Sequence, residues 1–142
     1  MCSIMATLKR PINFMGQTNR LWRVVMGIAY WIVAGIAAFA FFGSGMMKLA
    51  SSREKLLANK NMGWAADFTA PQIKLIGLAE VLGAAGLILP HALSIAEGLS
   101  KAAAVGLFLI MAGAANYHRK RKEPIIPPLV LGILALVTLF LK

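Results

Sequence analysis

Residues 71–90 read PQIKLIGLAEVLGAAGLILP, a largely apolar run about one bilayer long with a carboxylate, Glu80, near its middle. A run of about 20 such residues marks a membrane-spanning helix. An acidic group at the centre of such a helix costs roughly 2.5–3.5 kcal/mol on insertion scales, so the segment spans only if neighbouring helices shelter the group or a proton neutralises it. An ionisable residue at that depth is also a candidate functional residue.

Composition agrees with the membrane class. The 142 residues are 59% hydrophobic and 14% charged, with a mean hydropathy of +0.74, against roughly 25% charged in soluble domains. One domain is expected at this length, its core made by helix contacts inside lipid. Fifteen Lys and Arg against five Asp and Glu give a net charge of +10, a balance that can signal nucleic acid. Here the cations gather in short segments between apolar runs (Lys9, Arg10, Arg20 and Arg23; Arg53, Lys55 and Lys60; Arg119 to Lys122), where they meet lipid head groups and set topology. No basic surface with interleaved aromatics appears, so no nucleic-acid partner is expected. Cys2 is the only cysteine, which excludes an intrachain disulfide and a CxxC couple.

The pattern predicts an all-α membrane protein, an antiparallel four-helix bundle with transmembrane helices at about 24–48, 71–90, 101–117 and 124–141. Residues 1–23 read as a basic N-terminal flank, and 24–142 as one transmembrane domain with an extramembrane loop at 50–70. Within that loop SREKLLANK suggests a short interfacial helix with Leu56 and Leu57 toward lipid and Trp64 at head-group depth. Trp22 and Trp31 read as further interface anchors. Thr69 before Pro71 signals a helix start, and Pro90 its end. Gly35, Gly43, Gly45 and Gly83 are the expected helix-packing positions. The expected location is the bilayer of a bacterial-type inner (plasma) membrane, with an organellar membrane as the alternative.

Up-down order brings several polar groups to one membrane face. Lys48 ends the first helix there, and the third helix returns Asn116 and His118 to the same level. Glu80, nine residues past Pro71, lies roughly 13–14 Å below that face. Lys48 can reach toward the carboxylate by its long stem, and Asn116 can supply amide donors. Glu80, Lys48, Asn116 and His118 are therefore the ligand or polar-cluster candidates. Two plainer readings stand beside this one. Glu80 can be protonated and bonded to a carbonyl or to Ser44 as helix glue, and His118 can be a solvated head-group contact. His91 falls on the opposite face, so no two-histidine metal or haem site is expected. No nucleophile triad, P-loop or dinucleotide fingerprint is present, so no catalytic residues are assigned.

FFGSGMMKL at the end of the first helix, GLAEVLGAAGLILP on the second, and AAAVGLFLIMAGAANYHRKRKE leading through PP into the fourth resemble the DoxX-like family of small membrane proteins over residues 24–141. The resemblance implies a four-helix integral membrane protein, with Gly45, Lys48, Glu80, Gly83 and His118 at the positions that match. Founding members are described as small subunits of quinone-linked oxidases and thiosulfate-oxidising enzymes. Other relatives act in oxidative-stress membrane complexes, and more distant animal proteins assist receptor assembly. Three functions follow as expectations. The first is a non-catalytic accessory subunit or assembly factor, docked on a membrane protein partner or forming a homo-oligomer. The second is a binding module for a quinone or other lipophilic small molecule, and the third a small proton-coupled transporter using Glu80. None requires autonomous catalysis.

Overall fold

Buried residues on the long helices recur in steps of three and four, and about half of them are Gly, Ala or Ser. In the computed structural model, which describes residues 14–141, α1 (Phe14–Ala50) buries Tyr30, Ala34, Ala37, Phe41, Gly45 and Lys48. After α2 (Arg53–Leu57) and a 3-10 segment (Lys60–Asp67), α3 (Ala70–Ala92) buries Ile73, Gly77, Glu80, Ala84 and Leu87. α4 (Glu97–Lys120) buries Ser100, Ala104, Leu107 and Met111, and α5 (Ile126–Val137) buries Pro128, Gly132 and Ala135. This spacing puts one side of each helix against its neighbours. Helix α1 packs on α3, α3 on α4 and α4 on α5, and α5 closes back on α1. Large side chains such as Ile32, Ile36 and Phe39 point outward from α1, as contact with lipid requires. The fold is all-helical among the described residues. Helices α1, α3 and α4 are long and apolar enough to cross a membrane, whereas α5 is apolar but has only 12 residues.

The helix boundaries depart from those expected. Helix α1 begins ten residues before Val24, because Met15 to Arg23 contains no breaker after Gly16 and its polar side chains stay exposed. The rest of the expected flank, residues 1–13, lies outside the described residues. Pro90 sits inside α3 instead of closing it. Proline removes one amide donor, a small loss so near the end, and the turn closes with Leu93 N–H on the Leu89 carbonyl. Thr69 and Gln72 form a capping box at the start of α3. Helix α4 runs on to Lys120, its final turn carrying His118, Arg119 and Lys120, cations that favour the negative end of a helix dipole. Helix α5 is shorter than 124–141, ending in single turns at Leu139 and Phe140.

Part of the 50–70 loop packs against α3. Leu56, Met62, Trp64 and Ala65 are buried together with Ile73 of α3, so Leu56 and Trp64 pack inward, and only Leu57 of the expected lipid-facing pair is exposed. Trp22 and Trp31 are exposed. Cations tie the loop down by taking carbonyls that no helix uses. Arg53 donates to Phe68 O at 2.9 Å and Ala66 O at 2.8 Å, and Lys74 donates to Ser51 O at 3.0 Å and to Leu49 O.

Glycine matters most where α1 meets α3. A Cβ at Gly45 would stand 2.6 Å from Gly77 O, and one at Gly77 would stand 2.8 Å from Gly45 O. At Gly83 it would meet the Leu107 side chain at 2.5 Å. Gly35 and Gly43 face open space instead, so neither holds a close contact within this chain; their eight-residue spacing does not keep them on the seam. Gly77→Leu should therefore separate α1 from α3 and cost about 1–3 kcal/mol or more, read as lost thermal stability in detergent. Gly43→Leu should leave that stability unchanged.

Candidate functional site

The Gly45–Gly77 contact fixes the positions of two charges, each three residues further along its helix. Side chains tilt toward the N-terminus of their own helix. On antiparallel α1 and α3 this tips Lys48 away from the loop and Glu80 toward it. The two meet with Lys48 Nζ 2.7 Å from Glu80 Oε2, their side chains 7% and 2% exposed. Ser44, one turn back from Lys48, accepts a second ammonium proton at 2.6 Å, so Ser44 bonds the lysine and not the carboxylate. The Trp64 ring centre lies 5.8 Å from Nζ, within reach of a cation–π contact. No hydrogen bond from the described residues reaches Glu80 Oε1.

The pair borders a cavity of about 560 Å³. Helix α3 contributes Ile76 and Glu80, and α4 contributes Ile110, Met111, Ala114 and Tyr117. Pro127, Pro128 and Leu131 come from α5, and Met62, Trp64 and Phe68 from the loop. Three of its aromatics touch in series, Trp64 edge-on to Phe68 at 5.7 Å and Phe68 tilted against Tyr117 at 5.2 Å. Polar groups return at its loop end as Lys60, Asn61, His118 and Glu123. His118 Nδ1 lies 2.9 Å from Glu123 Oε2 without hydrogen-bond geometry, leaving both atoms enclosed and unsatisfied.

Of the four candidates, Lys48, Glu80 and His118 line this cavity and Asn116 does not. Asn116 is exposed and accepts a bond from Arg119 at 3.1 Å. Helix order sets height in the membrane but not rotation, and Asn116 is turned about 200° from both Ala114 and His118. His91 lies at the other end of the helices, against Tyr30 at 4.4 Å and Trp31 at 5.1 Å. Trp64, Tyr117 and the prolines also line the cavity, and nothing in their local segments marks them as cavity residues.

A polar clasp holds the loop over the cavity. Asp67 accepts from the Tyr117 hydroxyl and from Arg121, which also donates to Glu123 at 2.8 Å. The Tyr117 hydroxyl, and then the Arg121 guanidinium, hold the Asp67 carboxyl below the usual aspartate range. A lowered pKa means the clasp contributes fully at neutral pH and is lost as pH falls through the depressed value. Amide exchange across Lys60–Asp67 should thus quicken only in acid below the ordinary aspartate range, and Asp67→Asn should quicken it several-fold at neutral pH.

The buried pair makes a second prediction. Glu80→Ala strands a buried ammonium and should cost about 3–5 kcal/mol, whereas the double change Lys48→Met with Glu80→Leu should recover most of that loss. Unfolding of the purified variants in detergent measures both.

No curated protein and no solved structure matches the chain. The family model described as the DoxX-like family matches residues 32–140, a span that includes the glycine contact, the Lys48–Glu80 pair and every wall of the cavity. With its long apolar helices and a match over most of its length, the chain is a multi-pass membrane protein that belongs to the DoxX-like family.

Proposed function

We propose that this protein is a four-span membrane module that binds a lipophilic small molecule, with the polar end of the ligand against Lys48 and Glu80. The cavity carries the proposal. Its volume of about 560 Å³ lies in the ordinary range for small-molecule sites, roughly 300–1,000 Å³, and such sites join apolar walls to a few convergent polar groups. Quinones belong to this size and polarity class.

A fourth crossing is supported by the path of α5. Pro127 and Pro128 border the cavity at the loop end, while Thr138 and Leu139 line a small gap with Tyr30, Ser100 and Lys101 at the far end. The segment therefore runs beside α4 for its whole length. At about 18 Å for its 12 helical residues, α5 crosses a bilayer of about 30 Å only with its flanking turns and some local thinning.

The outward side chains of α1 meet the demand of lipid as well as that of a protein partner, so an accessory-subunit role draws no separate support from them. Transport needs a route onward from Glu80. The gap at the far end is only about 10 Å³, which favours binding over passage.

Native mass spectrometry of the chain released from mild detergent should find a lipophilic molecule retained by the wild type. Ala114→Phe, which fills the cavity from α4, should abolish retention with thermal stability preserved. Equal retention by both proteins would place the molecule elsewhere and sink the proposal.

A further inference from the structure

The Lys48–Glu80 pair has more hydrogen-bonding capacity than the described residues use. An ammonium has three protons, and Lys48 spends two, on Glu80 Oε2 and Ser44 Oγ. The third meets no hydrogen-bond acceptor among the described residues. Glu80 is in the matching position, since Oε2 is taken and Oε1 receives nothing from the described residues. One donor and one acceptor are thus left over on neighbouring groups, each almost wholly buried in protein, and both residues border the cavity.

Building on the ligand-binding reading, we infer that the ligand presents a neutral hydroxyl, as a lipophilic phenol or alcohol, which donates to Glu80 Oε1 and accepts from Lys48. A hydroxyl is the smallest group that offers both functions at one atom. A carbonyl or an ether answers Lys48 but leaves the carboxylate oxygen unpaired. Water can meet that oxygen in the unliganded protein, and a ligand that expels water without replacing its bond loses affinity.

Charge points the same way. Lysine and glutamate cancel, so an ionised ligand has no net counter-charge at this end of the cavity. A ligand carboxylate would stand beside Glu80, and an ammonium beside Lys48, in surroundings of low dielectric. Ionised groups would find their partners at the loop end, where Lys60, His118 and Glu123 lie, and would bind the other way round.

Three probes sharing one tail separate these cases: para-nonylphenol, its methyl ether para-nonylanisole, and para-nonylbenzoate. Equilibrium binding of each to the full chain in mild detergent is measured, with Ala114→Phe as the background for uptake outside the cavity. The expected result is phenol about tenfold or more tighter than anisole or benzoate in the wild type. In the double variant Lys48→Met with Glu80→Leu, phenol and anisole should bind alike. The wild-type ratio needs no variant of the pair, so a variant that failed to fold would leave the test intact. Phenol and anisole binding equally, or benzoate binding tightest, would overturn the hydroxyl while keeping a lipophilic site. If Ala114→Phe changes the binding of none of the three, the ligand-binding reading itself fails.

Discussion

Most of what distinguishes this chain follows from one close approach of backbones. At Gly45 and Gly77 the helices α1 and α3 come nearer than any side chain would allow, and Lys48 and Glu80 are carried into contact three residues further on. Inside lipid no expulsion of water drives helices together, so association relies on van der Waals contact and on polar groups finding each other. The glycines supply the first and the ion pair the second. Neither suffices alone, because contact without the pair leaves a charge stranded and the pair without contact is out of reach.

Around that pair the chain divides its polar residues by task. Lys74, Arg53 and Arg121 hold loop carbonyls and Asp67, work that keeps the 3-10 segment in place over the cavity. Lys48 and Glu80 lie deeper, where each charge is nearly enclosed. The strongly basic composition thus covers two roles besides topology: pinning a loop, and neutralising one buried acid.

The apolar runs made the helical class legible, since length and the lack of alternation leave no other structure for a bilayer. Lys48 was legible beside Glu80 because chain order and a lysine stem suffice to join them. Asn116 misled, because height along a helix is readable from residue counting whereas its rotation depends on which neighbours pack. Gly35 and Gly43 lie off the α1–α3 seam for a related reason. Eight residues advance a helix by about 80° beyond two full turns, so a repeat that looks regular in sequence drifts off the seam, whereas Gly45 and Gly77 keep steps of three and four from their buried neighbours. Residue type alone makes Trp64 an anchor, and its place in a buried cluster with Leu56 and Ile73 depends on how the loop folds onto α3, which local pattern does not encode.

The placement of the two charges also bears on how the chain enters a membrane. Helix α1 leaves the ribosome before α3 and waits without its partner. Lys48 is two residues from the end of its helix, so its ammonium can rest among head groups during the wait. Glu80 lies ten residues inside α3 and has no comparable refuge. The charge that can bide its time is made first, and the one that cannot arrives where its counter-ion is already waiting.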